Sequence, residues 1–221
     1  MLKAVIFDFD YTLGDTTNGI VLSVNYALEK LGFDIRDKEE IKKTVGLSLK
    51  DTFFTLTGRQ NEEQAEQFSK YFREKADLVM VESAQLYDDT KEVLQKLKND
   101  GYKISIVTTK FRYRIEHILD KFDASNLIDL IVGAEDVKVE KPNPEGLLWA
   151  MDSLKLGKNE ILYVGDSIVD AKTAENAQVD FAGVLTGTTV ADEFKMYRNV
   201  FIGEHITDVY NFIMNCNHTR K

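Results

Sequence analysis

Cysteine is nearly absent. Cys216 is the only one among 221 residues, so no disulfide can close within the chain, and no Cys/His cluster has the spacing of a zinc site. A reducing cytosol is the expected compartment. Proline occurs only twice, as Pro142 and Pro144 in one short segment, and there is no Pro/Ser-rich linker, repeat or low-complexity tract. Long apolar runs are also missing. None approaches the ~18 residues of a membrane span, and Asp8 and Asp10 interrupt the short apolar N-terminus before it could act as a signal-peptide core. A soluble, cytoplasmic protein is expected. Basic charge is in deficit: 28 Lys and Arg against 37 Asp and Glu give a formal charge of −9, which repels a phosphate backbone and disfavours nucleic acid as a partner.

What is present suits a globular chain. Apolar and aromatic residues make up 43% and charged residues 29%, enough to bury a core. The length fits one large domain, or one domain carrying an insertion, at roughly 100–200 residues per domain. Continuous apolar or β-branched runs at Ala4–Phe9, Ile104–Thr108, Leu130–Val132 and Ile161–Val164, with a weaker one at Phe181–Val184, read as strands of a parallel sheet covered on both faces. Helical patterns fill the gaps. Asp89 with Glu92 reads as a capping box ahead of Val93, Leu94 and Leu97, and Gly101 stops that helix. Arg112–Phe122, Pro144–Leu154 and Ile168–Ala177 follow. Strand and helix in alternation imply an α/β doubly wound sheet. Residues 16–85 break the rhythm with several helical segments and no good strand. They read as an all-helical module inserted after the first strand, with the α/β core formed by residues 1–15 and 86–221 and hinges near 14–16 and 83–87.

Chemistry-bearing residues gather at the strand ends, the ligand edge of an open α/β sheet. Alternation along a strand can aim Asp8 and Asp10 to one side, where two carboxylates repel unless a cation or shared proton intervenes. The second strand ends in Thr108-Thr109-Lys110, hydroxyls and an ammonium suited to phosphoryl oxygens. Thr108 and Thr109 are also ordinary strand-end residues, and Lys110 reads equally as surface. In Glu140-Lys141-Pro142, proline restricts the backbone of Lys141 just ahead of a helix, so this lysine is either a crevice cation or solvated charge. The fourth strand ends in Gly165-Asp166-Ser167-Ile168-Val169-Asp170, with Asp166 and Asp170 four residues apart and Ser167 or Asp166 able to cap the next helix. Oxygen ligands from several strand ends, without His or Cys, describe a Mg²⁺ site. His117, His205 and His218 lie outside every motif, and Trp149 reads as core.

Taken together, Asp8–Thr12 (DFDYT), Thr108, Lys141-Pro142 and Gly165–Asp170 (GDSIVD) resemble the four motifs of the haloacid dehalogenase-like hydrolase superfamily, over essentially the whole chain. The helical insertion, with Gly46-Leu47-Ser48-Leu49 in it, is similar to the capped branch holding phosphoglycolate phosphatases, pyrophosphatases and β-phosphoglucomutases. The resemblance implies Asp8 as nucleophile, Asp10 as acid and base, and Thr108 with Lys141 on the phosphoryl oxygens. It implies Mg²⁺ held by the Asp8 side chain, the Asp10 carbonyl and Asp166, oriented by Asp170, with Thr12, Thr109 and Ser167 nearby. Lys50 and Arg59 in the insertion are candidates for the leaving group. Tyr11 stands where many relatives have Gly. Asp10 argues against dehalogenation, and the lack of a His in Thr16-Thr17-Asn18-Gly19-Ile20 argues against a mutase. The expectation is a Mg²⁺-dependent phosphatase of a small phosphorylated metabolite, phosphoglycolate first, with a sugar-phosphate mutase or inorganic pyrophosphatase as alternatives.

Overall fold

The computed structural model describes residues 1–218, and of Asn217 and His218 the backbone alone. The chain divides into two compact units, Met1–Gly14 with Leu86–Lys221, and Asp15–Gln85.

The first unit is built on a six-stranded sheet of β1 (Ala4–Phe7), β4 (Lys103–Val107), β5 (Leu130–Val132), β6 (Ile161–Gly165), β7 (Asp180–Val184) and β8 (Phe201–Gly203), in the order β5-β4-β1-β6-β7-β8. All the ladders are parallel. The central strands β1 and β6 are buried along their whole length, which explains why they read as unbroken apolar runs. Helices α5 (Thr90–Asn99), α6 (Arg112–Lys121), α7 (Glu145–Leu154), α8 (Ile168–Ala177), α9 (Ala191–Phe194) and α10 (Ile206–His218) complete this unit. One core cluster gathers Ile6, Val107, Leu147, Tyr163, Phe181 and Phe194 from strands and helices alike. Successive strands run outward from β1 through β4 to β5 on one side, and from β6 through β7 to β8 on the other. The order therefore reverses between β1 and β6, the switch point at which open α/β sheets form their ligand crevice.

The second unit is helical: α1 (Thr17–Lys30), α2 (Lys38–Lys42), α3 (Leu49–Thr57) and α4 (Glu62–Ser83). Its own core joins Val24, Leu28, Ile41, Phe53, Phe68 and Met80. Gly19 lets α1 and α4 approach closely, since a Cβ there would lie 2.7 Å from Ser83 Oγ and 2.9 Å from Met80 Sδ. Two short strands, β2 (Gly14–Asp15) and β3 (Gln85–Leu86), form a two-stranded sheet of their own.

Three local expectations are corrected. Asp89 does sit at the N-cap of α5, but its side chain makes no cap hydrogen bond. Its Oδ2 instead accepts from the Thr207 amide at 3.1 Å and the Thr207 hydroxyl at 2.8 Å, fastening α10 to α5. Trp149 is not core: α7 buries Leu147, Ala150 and Met151, and Trp149 stays 38% exposed. The sheet also has a sixth strand, β8, a three-residue edge strand bonded only to β7. Gly101 ends α5 as its place in the sequence suggests, at φ +87°. Among the described residues no helix is long and apolar enough to cross a membrane.

Candidate active site

The C-terminal edge of the sheet places one functional group after each central strand. β1 ends at Phe7, and the Asp8 amide still donates to Val164 O at 2.8 Å, which locks Asp8 beside β6. The chain then turns instead of continuing as strand, and the amides of Thr12, Leu13 and Gly14 all donate to Phe9 O. Strand alternation therefore does not govern Asp10, and the two carboxylates meet different cations. Tyr11 takes φ +59° inside this turn, a left-handed conformation natural to glycine. Glycine, which the family resemblance would put here, takes this conformation without the Cβ penalty. The Thr186 hydroxyl donates to Tyr11 O, so the loop after β7 pins the strained residue.

Lys141 is the hub of the site. Its Nζ lies 2.8 Å from Asp8 Oδ1, 2.6 Å from Asp170 Oδ1 and 3.2 Å from the Tyr163 hydroxyl, with its side chain only 5% exposed. The loop that carries it is held by Asn176 Nδ2 donating to Pro142 O at 2.9 Å, and by Glu145 accepting from the amides of Lys138 and Val139. The solvated reading of Lys141 is thereby excluded.

Asp170 accepts from both sides. Oδ1 takes Lys141 and, at 2.9 Å, the Tyr163 hydroxyl; Oδ2 takes the Ser167 amide at 3.2 Å and the Ser167 hydroxyl at 2.5 Å. Ser167 is the N-cap of α8, and Asp170 closes the capping box. Gly165 is required for this packing, because a Cβ there would lie 2.5 Å from Asp170 Cγ.

Lys110 is a second buried cation. Its Nζ is 3.1 Å from Asp10 Oδ2, and its side chain is 6% exposed, so the surface reading of this lysine is corrected. Its amide donates to Thr108 Oγ1 at 3.2 Å. With a lone pair of that hydroxyl so occupied, its proton is directed elsewhere. Thr12 Oγ1 donates to Asp166 Oδ1 at 3.4 Å. Thr109 lies at the same strand end, half-buried.

Lys50 and Arg59 belong to the helical unit and have partners there. Lys50 Nζ is 2.6 Å from Glu62 and 5.5 Å from the centre of the Phe54 ring, and the Arg59 guanidinium lies 5.0 Å over Phe33.

The acids crowd one another. One oxygen from each of Asp8, Asp166 and Asp170 lies within 4.8 Å of the others, all three residues buried. Burial, only partly offset by the attraction of Lys141 and reinforced by repulsion from Asp170, raises the Asp8 carboxyl from 3.8 to about 7. Burial and the charges of Asp170 and Asp8 push Asp166 well above the ordinary carboxylate range. For Lys141, burial opposes the charge, but Asp170 and Asp8 more than offset it and hold the ammonium well above its usual value. Asp8 and Asp166 are oxygen donors whose ionisation is disfavoured by burial and repulsion, and a hard divalent cation matches them. The donor set therefore fits Mg²⁺. A Cβ at Gly187 would overlap Asp166 Oδ2, so the loop after β7 also cradles this carboxylate.

With that geometry in place, comparison with known proteins is decisive about the family. The profile of haloacid dehalogenase-like hydrolases matches residues 5–184, from within β1 to the end of β7. The chain belongs to this family. Among haloacid dehalogenase-like structures, a chain from Bacteroides fragilis assigned to these hydrolases superposes with a TM-score of 0.92 at 40% identity, covering 95% of this chain and all of that one. Of the curated relatives, a pyrophosphatase PpaX of Bacillus cereus is 29% identical over 98% of both chains. Another, from Bacillus mycoides, is 32% identical over 88% of this chain and 90% of its own.

Three groups that complete this haloacid dehalogenase-like site were not singled out from sequence: Tyr163, Thr186 and Gly187. Tyr163 carried a signal, since a lone phenol in an otherwise aliphatic buried strand needs a hydrogen-bond partner. Thr186-Gly187 carried only the weaker one of a loop at the ligand edge.

Proposed function

We propose that the protein is a Mg²⁺-dependent phosphohydrolase that works through an aspartyl-phosphate on Asp8, with inorganic pyrophosphate placed ahead of phosphoglycolate as substrate. The observation that carries the reading is the buried Lys141 ammonium bridging Asp8 and Asp170 beside Asp166, at the switch point of the sheet. The ordering of substrates rests on the PpaX relatives, which match nearly end to end.

Asp8 and Asp166, with the Asp10 carbonyl, would hold the cation, and Asp170, its oxygens engaged by Lys141, Tyr163 and Ser167, would orient the group from behind. When bound, Mg²⁺ supplies positive charge that offsets charge on the transferring phosphoryl. The residues of the chain do the rest. An Asp8 oxygen attacks phosphorus while the bond to the leaving oxygen breaks, and that oxygen departs with the electron pair, taking a proton from Asp10 where it needs one. Thr108 Oγ and Lys141 Nζ donate to the non-bridging oxygens, a role in which fixed donors are worth most because they need no rearrangement. Water then attacks the aspartyl-phosphate, gives its proton to Asp10 and releases phosphate, restoring Asp8.

The test is release of inorganic phosphate from pyrophosphate, phosphoglycolate and a set of sugar phosphates, with Mg²⁺ and with chelator. Mg²⁺-dependent release that disappears in Asp8→Asn is expected, with pyrophosphate preferred. Full activity in Asp8→Asn would overturn the mechanism, and preference for phosphoglycolate would reverse the substrate order.

A further inference from the structure

The site holds two buried ammonium groups where the transferring phosphoryl needs one. Lys141 serves the nucleophile side, 2.8 Å from Asp8. Lys110 sits against the other aspartate, 3.1 Å from Asp10 Oδ2. Its backbone is fixed at both ends: its amide donates to Thr108 Oγ1 at 3.2 Å, and its carbonyl accepts from the Ala134 amide at 3.1 Å. These bonds hold the residue just past the C-terminal end of β4. Keeping a second lysine desolvated at this edge is costly unless it has anionic partners. Asp10 supplies one such charge. In the mechanism proposed above, Asp10 also marks the side from which the leaving group departs.

From this placement we infer that Lys110 is a leaving-group cation, a residue that selects substrates whose leaving group carries its own negative oxygens, as a phosphoanhydride does. The inference rests on the phosphohydrolase reading and deepens it. An ammonium has three N–H donors, so contact with Asp10 is compatible with donation to a departing phosphate. Lysine is a compact point charge suited to a phosphate oxygen, whose orientation it need not match in a fork. A simple phenol such as p-nitrophenol has no anionic oxygen beyond the bridging one and gains far less from a second cation. The reaction is balanced without any added partner: the bridging P–O bond breaks, its electrons stay on the leaving phosphate, and Lys110 neutralises part of the charge that appears there.

Two substrates separate this role from a structural one. Pyrophosphate and p-nitrophenyl phosphate have leaving groups of similar basicity, but only the first presents further anionic oxygens. The ratio of their kcat/KM values is measured at saturating Mg²⁺ for the intact enzyme, Lys110→Gln and Lys110→Arg. Loss of the ion pair with Asp10 lowers both rates in Lys110→Gln. The pyrophosphate rate is expected to fall further, lowering the ratio by roughly tenfold or more, as loss of one charge-assisted hydrogen bond implies. Lys110→Arg, which keeps the charge, is expected to retain the ratio within about threefold. Parallel loss on both substrates would overturn the inference and leave Lys110 as a counter-ion of Asp10. A ratio lost equally in Lys110→Arg would overturn it too. An intact enzyme inert toward both compounds would overturn this inference, and inertness toward phosphoglycolate and the sugar phosphates as well would overturn the phosphohydrolase reading.

Discussion

Replacing the nucleophile should make the metal-free protein more stable in alkaline solution even as it destroys activity. Burial raises Asp8 from 3.8 to about 7, against the attraction of Lys141. Between those values the folded protein keeps a proton that the unfolded chain has released, so this contribution to stability is present at lower pH and is lost as pH rises toward about 7. The shift corresponds to about 4 kcal/mol against the ionised form, of which about 3 kcal/mol is lost between about pH 5 and about pH 8. Asp8→Asn mimics the neutral carboxyl and removes the dependence, while Lys141 keeps Asp170 at 2.6 Å. The assay is urea unfolding of both proteins in chelator at the two pH values, then at the higher pH with Mg²⁺. The difference in unfolding free energy should move in favour of Asp8→Asn by about 3 kcal/mol from low to high pH. Mg²⁺ should then stabilise the parent much more than the variant, because only the parent presents the full acidic set. A difference independent of pH, or equal stabilisation of both by Mg²⁺, would refute the reasoning.

Other substitutions separate the remaining contributions. Lys141→Met leaves Asp8 and Asp170 buried without their shared ammonium; it should cost about 3–5 kcal/mol in unfolding experiments and lower kcat by about 10² or more. In Gly187→Ala the new Cβ must displace Asp166 Oδ2, so the Mg²⁺ concentration for half-maximal activation should rise about tenfold, as it does when a metal ligand loses its support; calorimetric titration with Mg²⁺ gives the same quantity without turnover. Lys155 closes α7 at φ +57° and is exposed, so Lys155→Gly should stabilise the protein by about 1 kcal/mol with activity unchanged.

The sheet was legible because β1, β4 and β6 are buried on both faces and carry no polar alternation, and Asp8, Thr108 and Asp166 stood out because each directly follows one of those strands. The failures have physical causes. Asp89 has the sequence of a capping box, yet its carboxylate goes to Thr207, a partner 118 positions away that no local pattern reveals. Trp149 lies among apolar residues, but the helix turns its ring outward while Leu147 and Met151 face the sheet. The three residues of β8 are too few to show a period, and only β7 defines them as a strand. Lys110 could not be told from surface, because burial of a lysine is fixed by which carboxylate comes to meet it. The turn after Phe9, which separates Asp8 from Asp10, replaced the simple alternation expected of a strand.

The central claim is that Asp8 carries the phosphoryl group. The direct measurement is to quench the enzyme during turnover of pyrophosphate with Mg²⁺, reduce it with borohydride and map the product by peptide mass spectrometry. An aspartyl-phosphate at Asp8 is reduced to homoserine, so homoserine at position 8, dependent on substrate and Mg²⁺, is predicted. Sustained phosphate release with unmodified Asp8, or homoserine at Asp10 or Asp166 instead, would contradict it.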